Sequence, residues 1–123
     1  MIKQLLLVGF GGGIGSILRF LASWFTAKSG NDAFPVATFT VNVVGCLLIG
    51  LLTGWAMKQN WLDANMRLLL ITGFCGGFTT FSTFSLENMQ LFQAGQYLSL
   101  VLYVLASIGL GFAAVSIGLL ITK

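Results

Sequence analysis

The chain has 123 residues, 57% of them hydrophobic and 7% charged, with six Lys and Arg, three Asp and Glu and no His. An ordinary soluble domain carries roughly 25% charged residues, so this composition describes a membrane protein with short aqueous loops and excludes a separate soluble domain. The absence of His removes imidazole chemistry, and Lys and Arg scattered singly do not make a nucleic-acid footprint.

Four apolar stretches reach the roughly 20 residues needed to span a bilayer: Leu5 to Ala27, Val36 to Met57, Leu68 to Phe92 and Tyr97 to Ile121. The connections Lys28 to Pro35, Lys58 to Arg67 and Gln93 to Gln96 are short and hold most of the charges and the single proline. This predicts an all-α integral membrane protein, one domain over residues 1–123, built as a four-helix bundle with consecutive helices antiparallel. A signal-peptide reading of the first stretch, with Leu21-Ala22-Ser23 as a faint cleavage site, is disfavoured because the other three spans need a bundle partner. Lys3, Lys58, Arg67 and Lys123 fall on one side against Lys28 on the other, which favours both termini in the cytoplasm. Cys46 and Cys75 lie in apolar runs, where a thiol behaves as a small hydrophobe.

In the first span, GFGGGIGSILRF lacks the third glycine of a dinucleotide-binding fingerprint and follows no strand. Gly9 and Gly13, and Gly11 and Gly15, are instead spaced four apart, as in closely packed membrane helices. Arg19 stands out, because a guanidinium at the bilayer centre costs about 2.5–3.5 kcal/mol and must face protein, water or an anion. Three roles stay open for it: snorkelling toward the Lys28 side, a buried structural contact, or a positive potential for anions.

In the second span Thr38, Asn42, Gly45 and Ile49 recur at three- and four-residue intervals, so Thr38 and Asn42 share a face. Asn42 is the only amide there, and it either bonds a neighbouring helix or offers its NH2 donors to a solute. The fourth span carries Ser99, Tyr103, Ser107 and Gly111 every four residues, a narrow polar stripe on an apolar helix. Each hydroxyl can satisfy its own backbone, yet their alignment also fits a polar pathway.

The third span contains GGFTTFSTFS, Gly76 to Ser85. A glycine pair weakens a helix, and an unwound turn at membrane depth survives only where protein buries it or water lines it. The spacing predicts a break at Gly76 to Thr79 whose carbonyls can face a cation. After it, Thr79, Thr80, Ser82, Thr83 and Ser85 supply hydroxyls. Phe78, Phe81 and Phe84 lie three apart, roughly along one side. Ring edges are positive and attract an anion without the full charge that would trap it. Glu87 is the only acidic residue within a span and sits near the end of its own, so the midplane carboxylate of a proton-coupled cation exporter is missing.

Three blocks, GGGIGSILRF, ATFTVNVVGCLLIG and GFCGGFTTFSTFSLE, resemble those of the Fluc (CrcB) fluoride channels, and the likeness extends over nearly the whole chain. The third block is close to the family signature. The resemblance implies a passive, highly selective channel that exports toxic F⁻ across the bacterial inner membrane. It implies an antiparallel homodimer of subunits inserted in opposite orientations, with two pores along the interface. By position, Phe81 and Phe84 would contact fluoride with ring edges, Asn42 would be the pore amide, and Ser82 and Thr83 would belong to the hydroxyl track. Tyr103 would line the pore, Arg19 would lie near its vestibule and Glu87 toward its end, and Thr38 joins them as the neighbour of Asn42. The family also holds a structural Na⁺ on the two-fold axis through backbone carbonyls, here those of Gly76 and Thr79. Phe20 and Ala37 depart from the common tyrosine and glycine, away from the proposed ion contacts. Fluoride is small and strongly hydrated, so a selective pore must replace water with many donors. The competing functions are a small multidrug-type proton-coupled exporter, which would need an acidic residue where Arg19 stands, and a non-transporting accessory subunit.

Overall fold

The computed structural model describes residues 1–28, 34–59 and 62–122. Parts of the connections expected at Lys28 to Pro35 and Lys58 to Arg67 lie outside them. Helix α1 spans Ile2–Lys28 and α2 spans Val36–Gln59. The third span is composite: α3 (Ala64–Arg67), a π-helical segment (Leu68–Cys75), α4 (Gly76–Phe78) and α5 (Ser82–Gln93). Helix α6, Tyr97–Ile121, completes four helices long and apolar enough to cross a membrane, and there is no strand among the described residues.

The third span starts four residues earlier than hydropathy places it, because Asp63 caps it: its side chain accepts a hydrogen bond from the Met66 amide at 2.8 Å. At the far end the Gln96 amide bonds the Leu91 carbonyl and the Gly95 amide bonds that of Phe92. Gly95 takes φ +75, the left-handed residue that closes a Schellman turn and sends α6 back along α5.

Consecutive spans run antiparallel where they touch, since Thr38 and Asn42 of α2 meet Glu87 and Thr80 in reverse order. The tightest packing joins alternate spans, and these run parallel. On α1, a Cβ at Gly11 would fall on the Leu69 carbonyl oxygen and one at Gly15 on that of Phe74. On α2, Gly50 meets Val115 and Gly54 meets Thr122, while Gly118 of α6 rests against the backbone between Leu47 and Leu51. Two of the glycine positions expected to pack, Gly9 and Gly13, have nothing within 4 Å and lie on the exposed side of α1. Phe10, Phe20, Leu105 and Phe112 are also exposed, so wide apolar faces remain for lipid or another chain.

Candidate functional site

The glycines do not unwind the third helix. Gly76 is helical, with φ −63 and ψ −38, and the chain leaves the helix at Thr79, whose ψ is 161. Gly77 serves close approach instead: a Cβ there would collide with the Gly12 carbonyl of α1. The break therefore runs from Thr79 to Phe81, later than the predicted Gly76 to Thr79. Phe78 also leaves the expected aromatic row, because it remains on the helical side and stacks on Phe74 with centroids 5.7 Å apart.

Several of the polar groups freed by the break find partners that their positions dictate. The Thr79 amide and hydroxyl both donate to the Cys75 carbonyl, at 3.0 and 2.8 Å. Asn42 grips Thr80 at two points: its Nδ2 donates to the Thr80 carbonyl at 3.1 Å, and its Oδ1 accepts from the Thr80 amide at 2.8 Å. Asn42 thus takes the first of the two roles its sequence allowed, and one N–H of its amide has no partner among the described residues. Gly45, one turn on, leaves room for the Thr79 methyl group. The Thr80 hydroxyl accepts from the Thr83 amide at 3.2 Å, covering the start of α5, and lies 3.4 Å from the Ser82 hydroxyl. Arg19 reaches the break from the α1 side and donates from Nε to the Gly77 carbonyl at 3.0 Å. Among the described residues no hydrogen bond reaches the carbonyls of Gly76, Phe78 or Thr79.

Beside the break lies an open groove of about 320 Å³. Asn42, Gly45, Cys46, Ile49, Thr79, Thr80, Phe81, Phe84, Ser107 and Ile108 line it. Phe81 is 78% exposed, so its ring is available to whatever enters or covers the groove. It leads into an aromatic chain: Phe81 to Phe84 at 5.9 Å, then Phe84 to Tyr103 edge-on at 4.9 Å. The Ser107 hydroxyl is buried and has no hydrogen-bond partner among the described residues.

One turn further along α5, Glu87 joins three elements. Its Oε2 accepts from the Thr38 hydroxyl at 2.8 Å and its Oε1 from the Tyr103 hydroxyl at 2.9 Å. Thr38 and Tyr103 are buried. Sequence spacing does not reveal this carboxylate-centred trio, because its members come from three different spans.

The predicted pore residues therefore form two neighbouring groups and three outliers. Asn42, Phe81 and Phe84 share the groove, while Thr38, Glu87 and Tyr103 share the carboxylate. Ser82 is exposed and Thr83 lies behind the Thr80 hydroxyl, neither in the groove lining. Arg19 sits at Gly77 on the α1 side of the broken span. Ser107 was visible only as a member of the polar stripe, and Thr80 only as one hydroxyl among several. Their importance comes from where the break falls.

Residues 6–119 match the family described as CrcB-like protein, Camphor Resistance (CrcB). The chain belongs to the CrcB family. It is 54% identical over 123 residues to a protein of Azobacteroides pseudotrichonymphae named fluoride-specific ion channel FluC, covering 100% of this chain and 98% of the relative. Proteins of the same name from Flavobacterium psychrophilum and Rhizobium johnstonii are 47% and 45% identical over 121 and 120 residues. Each alignment covers 98% of this chain, and they cover 98% and 96% of those relatives. With its four apolar spans, this member of the CrcB family is a multi-pass membrane protein and not an enzyme.

Proposed function

We propose that this chain is a fluoride-selective channel that carries F⁻ passively out of the bacterial cytoplasm and so protects against fluoride toxicity. The observation that carries this reading is identity to channels of that name along the full length of the chain. The groove supports it physically. Its lining sets hydroxyls and an amide among apolar side chains that include the rings of Phe81 and Phe84, with no acidic side chain. Such neutral donors attract a small anion without holding it tightly. The N-terminus of α5 borders the groove and adds a partial positive charge.

The working unit is proposed to be an antiparallel homodimer inserted in both orientations, with two pores along the subunit interface. The wide apolar faces and the exposed Phe81 support a second copy as the missing wall of the groove. The carbonyls of Gly76 and Thr79 are proposed to hold a structural Na⁺ on the two-fold axis. When bound, that ion would supply a fixed positive charge that neutralises carbonyls no helix satisfies. Within one chain a methyl group at Gly76 meets nothing within 4 Å. Gly76→Ala should therefore leave helicity intact in circular dichroism while lowering the dimer fraction in detergent. An unchanged dimer fraction would argue against a two-fold contact at this carbonyl.

The function is tested in liposomes that contain only the purified protein and are loaded with fluoride or chloride, with efflux read by ion-selective electrodes. Fluoride release with chloride at the protein-free baseline is expected. Equal release of both, or none, overturns the proposal. Phe81→Ile or Phe84→Ile should slow fluoride efflux by about tenfold, the loss of an aromatic contact near 1.4 kcal/mol.

A further inference from the structure

We infer that Arg19, assisted by Ser16, is the positioning residue of the broken span, acting through a backbone carbonyl rather than through its charge. In an uninterrupted α-helix the Thr80 amide would bond the Gly76 carbonyl and the Phe81 amide would bond that of Gly77. The extended Thr79 breaks both bonds. The Thr80 amide goes to Asn42 at 2.8 Å, which keeps it away from Gly76. The Gly77 carbonyl receives instead the Arg19 Nε at 3.0 Å and the Ser16 hydroxyl at 3.4 Å. A carbonyl left unpaired at membrane depth is costly, so α1 returns to Gly77 what the break removed.

The sequence of α1 makes this reach possible. Gly12 and Gly15 let the two backbones touch, and Ser16 and Arg19 follow on the same helix face. The bond comes from Nε, on the stem of the side chain, and not from the guanidinium tips. The outcome is uneven: the Gly77 and Thr80 carbonyls are held by side chains of α1 and α2, while those of Gly76, Phe78 and Thr79 receive no hydrogen bond among the described residues.

Donor and charge can be separated by substitution. Glutamine places its Nε2 as many bonds from Cα as the arginine Nε, without charge, whereas methionine places a methyl group there and has neither. Arg19→Gln and Arg19→Met are compared with the natural chain, full length and in lipid, by amide hydrogen exchange across residues 79–81. This reads the backbone directly and is independent of which ion permeates. Protection should be kept in Arg19→Gln and lost in Arg19→Met, with exchange about tenfold faster, as expected for losing one hydrogen bond. Equal loss in both variants would assign the role to charge, and protection in both would deny Arg19 any hold on the break; either overturns the inference. Should the methionine variant not reconstitute, Arg19→Gln decides alone: exchange as in the natural chain supports the inference, and exchange tenfold faster overturns it.

Discussion

The two halves of the third span are held in opposite ways. Before the break, residues 68–78 lie backbone to backbone on α1, with Gly73 and Gly77 against Val8, Gly11 and Gly12. After it, among the described residues, α5 is tied to the other spans through side chains: Glu87 to Thr38 and Tyr103, and Phe84 against Tyr103. Small residues without polar side chains make a joint that tolerates no added atom. Hydroxyl and carboxylate contacts make one that is specific but gives way in steps. The rigid half fixes where the break falls, and the polar half carries Phe84 into the groove and Glu87 to its two hydroxyl partners.

The largest effect should come from disturbing the rigid half. Gly77→Ala puts its methyl group on the Gly12 carbonyl, and neither backbone has a flexible end to withdraw. A loss of about 3 kcal/mol or outright misfolding is expected, read as a lower thermal midpoint or loss of a monodisperse peak in detergent. Tolerance of alanine there would erase the contrast between the halves. An intermediate effect is expected at the hinge, where Asn42→Leu removes both grips on Thr80 and leaves a half-buried amide and carbonyl unpaired. That should cost about 2 kcal/mol and raise proteolysis or exchange at residues 79–83 while the α1 contacts persist. The smallest effects belong to the polar half. Thr38→Val and Tyr103→Phe each remove one donor from Glu87, for about 0.6 kcal/mol apiece, the usual scale of hydrogen bonds between membrane helices. The double variant measures their coupling, and a penalty as large as that of Gly77→Ala would show that the polar half is no softer than the rigid one.

Much of this was legible in the amino-acid order. Four spans follow from apolar runs whose length matches a bilayer, and a break in the third follows from GGFTTFSTFS. The reason for the break was misread. Gly76 and Gly77 suggest unwinding when considered singly, but Gly77 is needed for contact with Gly12, a partner more than sixty residues away that local propensity cannot see. The same blindness to distant partners hid the meeting of Thr38, Glu87 and Tyr103 and the grip of Arg19 on Gly77. Gly11 and Gly15 were readable as packing positions, but equal spacing gave no means to separate them from the open Gly9 and Gly13. Spacing identifies a face and not its occupant. The π-helical segment had no signal in LLLITGFC at all.

That segment sets an angle. A turn closed by i→i+5 bonds accommodates one residue more than an α-turn, so Leu68–Cys75 alters the rotational phase of everything that follows it. Gly77 points at α1 and Thr79 opens toward α2 because of where this wider turning stops, at Cys75. The span behaves like a key whose teeth are cut after the break but whose orientation in the lock is fixed four residues earlier, at Cys75. Deleting a single residue between Leu68 and Cys75 would leave every groove-facing side chain of the third span present and aim all of them the wrong way.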